Sequence, residues 1–467
     1  MAGQAPLPDG FERQIGTRQA VAINMTQMCG IGPFITIPVM VTLMGGPQAM
    51  FGWVVGALLV LVDGLVWAEL GAAMPRAGGT YVYLREAFQY RTGRLMPFLF
   101  VWSAILFIPL IMSTGVIGLV QYLSYLFPGL VGTDGGTNGW GKLVGVLVVG
   151  LVVLALYRRI GQIGKLTTVL FAAMMLSVIA VILASLTHFH ADLAFAYPEG
   201  AFKPFGGAFW TGLGAGLIFS VYDYLGYNTA AYIGAELKNP GRTMPRAIIL
   251  SILSMMVIYL LLQIGVLGVI PWEQISGSPY FASQILELTW GKTAAAIFTV
   301  TIVITAFGSV FAGLLGGSRV PYEAAKDKLF LPWFSKLHPR LNFPTVGLFV
   351  MGVITAIGSL FSLTDVINVL TAVFVLIQSI AQTVALFVLR RRQPNMVRPY
   401  RQWLYPVPGI LALAGWVFVY TQADTQNIWL SLGWLALGTI AFLIWARVDK
   451  VWPFGPKEIK EEFLVTT

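Results

Sequence analysis

Charge is what this 467-residue chain has little of, since Asp, Glu, Lys and Arg together make up 10% of it. Soluble domains carry about 25% charged residues, so a soluble fold of this length would lack a hydrated surface. The single cysteine, Cys29, excludes an internal disulfide. Because Cys29 lies within an apolar run, we also expect no disulfide-linked partner. These two shortages exclude a soluble fold and a disulfide-bonded secreted fold.

Catalytic and metal-binding patterns are missing as well. The sequence contains no Gly-x-Ser-x-Gly, His-Glu-x-x-His or Gly-rich phosphate-binding motif, the patterns typical of hydrolases and nucleotide-binding proteins. The three histidines, His188, His190 and His338, have no cysteine near them to complete a metal site. We therefore expect a protein that is not an enzyme and that holds no metal and no organic cofactor.

Apolar residues are abundant instead, at 57% of the chain. A transmembrane helix needs about 20 of them in succession, and the sequence contains twelve runs of about that length. The runs cover residues 19–44, 49–73, 97–128, 142–157, 166–187, 210–235, 247–270, 293–317, 345–362, 365–389, 403–420 and 429–446. They predict an all-α integral membrane protein with about twelve transmembrane helices, forming one domain over residues 1–467.

Basic residues are distributed unevenly between the loops. If the N-terminus is cytoplasmic, the outer segments contain only Lys142, Lys203 and Lys292, and the other 26 of the 29 Lys and Arg lie inside. Cytoplasmic loops carry such an excess, so we expect a multi-pass protein of the cytoplasmic membrane with both termini in the cytoplasm. Contact with anionic lipid headgroups accounts for the net charge of +9 without nucleic acid as a partner.

Two predicted spans are interrupted near their middle. Glycine costs about 1 kcal/mol and proline about 3 kcal/mol in a helix interior, so clusters of these residues favour local unwinding. The first run contains Cys29, Gly30, Ile31, Gly32, Pro33 and Phe34, and the sixth contains Tyr222, Asp223, Tyr224, Gly226, Tyr227 and Asn228. Paired broken helices at corresponding positions indicate a transporter binding site, although glycine and proline are also common in spans that only pack.

Two acidic residues lie well inside predicted spans, Asp63 in the second and Asp223 at the break of the sixth. A charge at membrane depth is costly, which makes such residues functional candidates by default. Asp223 is interpreted either as a counter-ion for a substrate amine, as a proton carrier, or as a protonated structural carboxyl. The alternative from another class is an intramembrane aspartyl hydrolase, but Leu61-Val62 precedes Asp63 where a Gly-x-Gly would be needed.

Four segments resemble, in order and spacing, those of the amino acid–polyamine–organocation (APC) transporters, over about residues 15 to 400. The segments are Gly30-Ile31-Gly32-Pro33-Phe34; Glu69-Leu70 followed by Pro75-Arg76-Ala77-Gly78-Gly79-Thr80-Tyr81-Val82-Tyr83; Tyr224-Leu225-Gly226-Tyr227-Asn228 with Glu236-Leu237-Lys238-Asn239-Pro240-Gly241-Arg242; and Ser318-Arg319-Val320-Pro321-Tyr322 with Lys326-Asp327, Leu331-Pro332 and His338-Pro339-Arg340.

The resemblance implies a LeuT-like inverted repeat of five plus five helices. Residues 19–187 would form the first repeat and 210–389 the second, with two additional helices in 403–446 and a cytoplasmic tail at 447–467. It further implies alternating access, with a substrate carboxylate at the N–H groups of Gly30 to Phe34. The substrate ammonium would bind backbone carbonyls near the same break and near Tyr224, whose ring would act as a gate.

Some residues depart from the usual pattern of the family. Ile31 replaces a serine, Pro33 removes one N–H donor, and the step Gly32-Pro33-Phe34 is similar to the polyamine-uptake branch, as are Gly45-Gly46-Pro47 and the segment from Tyr157 to Lys165. Met174 is the best match for the lysine that proton-coupled members carry on the fifth helix. Coupling would then use H⁺ carried by Asp223, with Asp63 as a further candidate, or Na⁺ near Ser309.

The function expected from these observations is secondary active transport of amino acids, by ion or proton coupling or by exchange, with a small-molecule substrate and the lipid bilayer as partners. Transport of a polyamine or another organic cation is the alternative within the same fold. On the tenth predicted span, Thr371, Phe374 and Gln378 lie at helical spacing and either line the pocket or form a packing stripe.

Overall fold

The computed structural model describes residues 13–75, 79–133, 135–156, 163–203, 206–338 and 343–454. Within these ranges the chain is helical, and strand pairing is limited to three isolated bridges. Several sequence features lie outside the described residues: 455–467 of the expected tail, 76–78 and 339–340 of the family motifs, and 157–162 of the segment similar to the polyamine branch.

The helices of the described ranges follow the apolar runs, and each of the twelve runs overlaps at least one helix. They are α1 (Thr17–Met28), α2 (Gly32–Met44), α3 (Met50–Ala73), α4 (Thr80–Thr92), α5 (Leu95–Leu123), α6 (Gly139–Leu156), α7 (Ile163–Thr187), α8 (Ala191–Ala194), α9 (Ala208–Tyr224), α10 (Thr229–Tyr232), α11 (Pro240–Leu267), α12 (Trp272–Ile275), α13 (Phe281–Trp290), α14 (Lys292–Gly317), α15 (Arg319–Lys326), α16 (Thr345–Gly358), α17 (Leu363–Phe374), α18 (Gln382–Arg392), α19 (Val407–Gln422) and α20 (Thr425–Val448).

By length and composition, seven helices in the described ranges can cross a membrane, and the bent pair of α1 and α2 makes an eighth. One of the seven combines α17 and α18, which are joined by a wider π-helical turn at Val375–Ala381. Among the shorter apolar helices are α16 and α19. An all-helical membrane protein is therefore confirmed, and the number of twelve spans stays a prediction.

The first predicted span is interrupted, as expected. Helix α1 ends at Met28, α2 begins at Gly32, and the two axes differ in direction by 56°. Pro33 occupies the first turn of α2, where its missing N–H and fixed φ are compatible with a helix start. Pro38 lies inside α2, which continues through it. The unwound segment is therefore Cys29–Ile31, shorter than the sequence suggested.

The sixth predicted span is interrupted after Tyr224, where α9 ends, and Leu225–Asn228 are not helical. Gly226 has a φ of +115°, a conformation that residues with a side chain rarely adopt. A Cβ at this position would also lie 2.6 Å from Cβ of Gln27. The chain therefore needs glycine here, both to adopt this positive φ and to pass close to the end of α1.

Helix packing follows a regular order along the chain. Helix α2 packs against α9, α3 against α11, α5 against α14 and α6 against α16. In the two predicted halves these are the first, second, third and fourth pairs of corresponding helices. The pair of α2 and α9 lies inside the assembly, so both helix breaks come together at the centre of the fold.

Large aromatic side chains fill the space around the breaks. Trp53, Tyr224, Tyr227 and Tyr259 are fully buried, and the rings of Trp53 and Tyr259 lie 4.8 Å apart. The peripheral helices α6, α14, α16 and α20 instead expose many Leu, Ile and Phe side chains. This arrangement fits a protein whose outer surface faces lipid, where apolar exposure carries no cost.

Candidate functional site

A cavity of about 140 Å³ lies where the two breaks meet. Eight of the residues singled out in the sequence line it: Cys29, Gly30, Ile31, Gly32, Tyr222, Asp223, Ser309 and Met174. The first four form the α1–α2 break, the next two end α9, and Ser309 faces them from α14. The structure therefore brings together the two segments that the sequence singled out independently.

One side of the cavity is bordered by exposed residues. Gln27 and Ser309 line it and are exposed, so the cavity reaches the surface between α1 and α14. At the other end Phe34 is fully buried, and its ring lies 6.3 Å from Tyr122 and 5.9 Å from Phe298. The Tyr122 hydroxyl also donates to the carbonyl of Phe34 at 3.0 Å. This aromatic cluster packs around the first turn of α2 and does not itself line the cavity.

Unwinding at the α1–α2 break leaves backbone groups available. The N–H of Cys29 donates to Met25 at 2.7 Å and that of Phe34 donates to Ile31 at 3.0 Å. The N–H groups of Ile31 and Gly32 have no acceptor in the described part of the chain. Because they stand at the positive end of the α2 dipole, this position attracts an anion.

The carboxyl group of Asp223 lies at this same position. Its Oδ2 accepts a short hydrogen bond from the hydroxyl of Thr36, one turn into α2. A Cβ added at Gly32 would be only 2.0 Å from Oδ1, so the carboxyl group rests directly against the start of α2. Asp223 is 3% exposed, and its Oδ1 has no hydrogen-bond partner among the described residues.

Tyr259 on α11 connects the two breaks. Its hydroxyl lies 2.8 Å from the carbonyl oxygen of Met28 and 2.8 Å from that of Asp223. Both carbonyls belong to the last turn of an interrupted helix, where the intrahelical acceptor role is lost. One buried hydroxyl therefore serves the freed ends of α1 and α9 together.

Asn24 forms a second connection between the breaks. Its Nδ2 donates to the carbonyl of Tyr227 at 2.6 Å and lies 3.3 Å from the hydroxyl of Ser251. Its Oδ1 accepts from the N–H of Ala230 at 2.8 Å. The side chain is fully buried, so this amide fixes the segment after α9 onto α1.

The remaining predicted site residues lie behind the cavity rather than on it. Tyr224 is fully buried, and its hydroxyl donates to the carbonyl of Trp53 at 3.1 Å. Asp63 accepts a short hydrogen bond from the Tyr227 hydroxyl and is 1% exposed. Five others do not line the cavity either: Pro33, Phe34, Gly226, Tyr227 and Asn228. The gating role of Tyr224 and the roles of these residues stay predictions.

Several residues of the site escape prediction from sequence. The cavity wall includes Ile111, Met112 and Gly115 of α5 and Gly308 and Gly313 of α14, which do not differ from ordinary packing residues in their sequence context. Met174 of α7, which the family resemblance had already matched to the fifth-helix lysine, lines the cavity as well. Asn24, Thr36 and Tyr259 do carry a signal, since each is a polar side chain inside an apolar run.

The candidate residues on the tenth predicted span pack rather than line the cavity. Thr371, Phe374 and Gln378 are all buried, and none of them borders the cavity. The ring of Phe374 lies 5.7 Å from Phe107 and 6.0 Å from Trp416. Of the two interpretations left open by the sequence, the structure supports the packing stripe.

Among the described residues, the cavity wall carries one charged side chain. That side chain is Asp223, and no described Glu, Lys, Arg or His lines the cavity. Across the described ranges, no three His, Cys, Asp or Glu residues come together in a way that could hold a metal ion. The chemistry available is therefore one carboxyl group, free backbone N–H groups, hydroxyls and apolar surface. Such a site suits reversible binding of a small amine-bearing solute.

Two broken helices that meet at a cavity inside an apolar helical bundle are typical of a membrane transporter. A family model described as amino acid permease matches residues 15–456. This chain belongs to the amino acid permease family. It is a multi-pass membrane protein that carries small molecules, and it is a transporter rather than an aspartyl hydrolase. The likeness to this family predicted from the sequence motifs is confirmed.

Characterised relatives are similar over nearly their whole length. The serine/threonine exchanger SteT of Bacillus subtilis is 26% identical over 433 residues, covering 91% of this chain and 94% of the relative. The branched-chain amino acid permease BcaP of the same organism is 27% identical, with 94% of each chain covered. An aspartate-proton symporter of that organism is 27% identical over 88% of this chain and 79% of its own length.

Proposed function

We propose that this protein is a secondary active transporter that moves amino acids across the cytoplasmic membrane by alternating access. The observation that carries the proposal is the meeting of the α1–α2 break and the end of α9 at one cavity. Relatives named for serine and threonine, branched-chain amino acids and aspartate support the substrate class. Transport of an organic cation is the second candidate, and the Asp223 carboxyl in the cavity wall favours it.

The proposed architecture is an inverted repeat of five plus five helices, followed by α19 and α20 as the two additional helices. The packing of α2 with α9, α3 with α11, α5 with α14 and α6 with α16 supports it, because each pair joins corresponding helices of the two halves. The repeats would cover residues 19–187 and 210–389. Rocking of one half against the other would then open the cavity to alternate sides.

We propose that both termini are cytoplasmic and that the described conformation faces inward. The excess of Lys and Arg in the loops assigned to the inside supports this orientation. The cavity reaches the surface between α1 and α14, at Gln27 and Ser309. With a cytoplasmic N-terminus, α1 forms the inner half of the first span, so this opening would be the cytoplasmic one.

Coupling is proposed to use H⁺ or Na⁺. Asp223, Asp63 and Ser309 are the candidate groups, of which Asp223 and Ser309 line the cavity. Asp63 is bonded to Tyr227 behind the second break, where a change in its protonation would act through the Leu225–Asn228 segment. Uptake driven separately by a proton gradient and by a sodium gradient distinguishes these ions.

The experiment that tests the transport proposal is uptake by proteoliposomes of labelled serine, leucine, aspartate and arginine, together with putrescine. The matched variants are Gly32→Val and Gly150→Val, since Gly32 lines the cavity and Gly150 is exposed on α6 with no atom within 4 Å of an added Cβ. We expect uptake of at least one solute by the parent protein and by the Gly150 variant. A Gly32 variant that folds and transports normally would contradict the proposed site.

A further inference from the structure

The Asp223 carboxyl lies where a helix N-terminus favours an anion. The free N–H groups of Ile31 and Gly32 mark the start of α2, and positive partial charge collects at such a start. Oδ1 of Asp223 is the nearest atom to a Cβ built on Gly32, at 2.0 Å. The protein therefore supplies its own anion to this position, in the place where a bound carboxylate would otherwise find its complementary charge.

Only one of the two oxygens of the Asp223 carboxyl group is held by a hydrogen bond. Thr36 donates to Oδ2, which leaves Oδ1 as the atom without a partner in the described ranges. Asp223 is 3% exposed and contributes to the cavity wall. A buried carboxylate oxygen without a donor is unfavourable, and a bound ammonium group would supply the missing donors and the opposite charge.

The charge of the whole cavity leads to the same conclusion. Its described wall contains Asp223 and no Lys, Arg or His. A substrate carboxylate at the start of α2 would lie beside the Asp223 carboxylate, and like charges at short range in a buried site repel strongly. A solute with a net positive charge has no such conflict, and one bearing an amine alone would neutralise the site.

We propose that Asp223 is a resident anion that takes the position of a substrate carboxylate at the start of α2 and binds the substrate amine through Oδ1. The substrate class is then an organic amine with a net positive charge and no carboxylate on the carbon that bears the amine. This inference rests on the second candidate of the proposed function, transport of an organic cation by the same carrier, because it assigns the substrate of the same cavity.

Matched pairs of ligands test this assignment directly. Each pair shares the side chain and differs in the carboxylate: leucine with 3-methylbutylamine, and lysine with 1,5-diaminopentane. Leucine methyl ester, in which the carboxylate is neutralised, completes the set. Binding to the purified full-length carrier in lipid nanodiscs is measured by calorimetry, and uptake is measured in proteoliposomes.

We expect each amine to bind about tenfold or more tightly than its parent amino acid, as a charge-assisted hydrogen bond allows. Leucine methyl ester should follow the amines. In Asp223→Asn the amines should lose about tenfold in affinity, while leucine loses nothing or gains, because the competing negative charge is removed. Asp192→Asn, which changes an exposed aspartate, is the control and should behave as the parent.

A second variant, Thr36→Val, tests the proposal if Asp223→Asn does not fold. Thr36→Val retains the carboxyl group and removes only its donor. We expect it to weaken amine binding less than Asp223→Asn does and to leave leucine binding unchanged. Thr36 is therefore a positioning residue, because it acts on the substrate only through Asp223. Amine binding at the parent level in Thr36→Ser would confirm that the hydroxyl orients the Asp223 carboxyl group.

The outcomes separate this inference from the proposed function. If leucine or lysine binds more tightly than its amine and the order persists in Asp223→Asn, the resident-anion role is wrong and amino acid transport stands. If the amines bind and are transported in preference, the inference stands and the substrate class is settled. If neither class is bound or transported by a folded carrier, the inference and the proposed function both fail.

Discussion

The hydroxyl of Tyr259 lies 2.8 Å from the backbone carbonyl of Asp223, and the same hydroxyl lies 2.8 Å from the carbonyl of Met28. Met28 ends α1 and Asp223 belongs to the last turn of α9. The two helix breaks are therefore joined through a single side chain of α11. Any movement that separates the ends of α1 and α9 must release at least one of these contacts.

Replacing Tyr259 by Phe removes the shared hydroxyl and keeps the ring. The two buried carbonyls then lose the single donor that they share, and we expect a loss of about 1–3 kcal/mol in the free energy of unfolding. The initial rate of uptake should also change, because the described conformation loses a contact between the breaks. Both are measured on the purified carrier, by thermal unfolding and by proteoliposome uptake.

The control for Tyr259→Phe is Tyr420→Phe. The hydroxyl of Tyr420 lies 2.9 Å from that of Ser431, in α19 and α20, away from both breaks. It should lower stability by a similar or smaller amount and leave uptake unchanged. Equal effects of the two variants on uptake would mean that Tyr259 has no special role in joining the breaks.

Glycine substitutions in the first break give a sharply matched pair. A Cβ at Gly32 would lie 2.0 Å from Oδ1 of Asp223, whereas the nearest atom to a Cβ at Gly30 is the nitrogen of Gly32, at 4.0 Å. We therefore expect Gly32→Ala to displace the Asp223 carboxyl and to reduce substrate affinity by about tenfold or more. Gly30→Ala should bind substrate nearly as the parent does.

The loss of thermal stability in Gly32→Ala should depend on the bulk of the Asp223 side chain. Combining Gly32→Ala with Asp223→Gly removes the steric conflict, so the double variant should recover the thermal stability that Gly32→Ala loses. Binding is not expected to recover, because the carboxyl group is absent. If stability does not recover, the clash lies elsewhere and the contact between Gly32 and Asp223 does not explain the loss. Substrate binding by calorimetry and thermal unfolding are compared among Gly32→Ala, Asp223→Gly and the double variant.

Asn24→Leu tests the second connection between the breaks. The change removes the donor to Tyr227 and the acceptor for Ala230, leaving two buried backbone groups unpaired at about 1–3 kcal/mol each. We expect a lower unfolding temperature and weaker protection of the Ala230 amide from hydrogen exchange. Asn395→Leu changes an exposed residue and should alter neither. Unchanged protection of the Ala230 amide in Asn24→Leu would show that Asn24 does not hold the segment after α9 onto α1.

Both helix breaks can be predicted from the sequence because their causes are local. Gly30, Gly32 and Pro33 disfavour a continuous helix within four residues, and Gly226 occupies a conformation that requires glycine. The excess of basic residues in alternate loops is equally local. A pattern confined to neighbouring residues needs no knowledge of the fold to be interpreted, and the position of the cavity follows from it.

The contacts that build the site are not local, and this is why the sequence does not reveal them. Asn24 and Ala230 are 206 residues apart, and Tyr259 and Met28 are 231 apart. The walls contributed by α5 and α14 consist of small and apolar residues whose facing depends on helix rotation. The same limit applies to Thr371, whose spacing alone fits a pocket and a packing stripe equally well.

Glu69, near the end of α3, also makes contacts with residues far away in the sequence, which the sequence alone does not reveal. These contacts lead to a last prediction. Its carboxylate accepts from Arg390 at 2.6 and 2.7 Å and from the N–H of Gln402 at 2.9 Å, and Arg398 lies 3.5 Å away. Glu69 is 1% exposed. Breaking one side of a buried pair costs about 3–5 kcal/mol, so Glu69→Gln should lower the free energy of unfolding by that amount.

The stability lost in Glu69→Gln should arise mainly because Arg390 is left as a charge without its partner. Replacing Glu69 and Arg390 together by Met removes both charges and restores apolar packing, while Arg398 keeps its contacts with the carbonyls of Leu389 and Gln393. We expect the double variant to be more stable than Glu69→Gln, as found for buried pairs replaced by apolar residues. Glu199→Gln, at an exposed position, should change stability by less than about 0.5 kcal/mol. A double variant less stable than Glu69→Gln would show that Arg390 stabilises the end of α18 by contacts other than the ion pair.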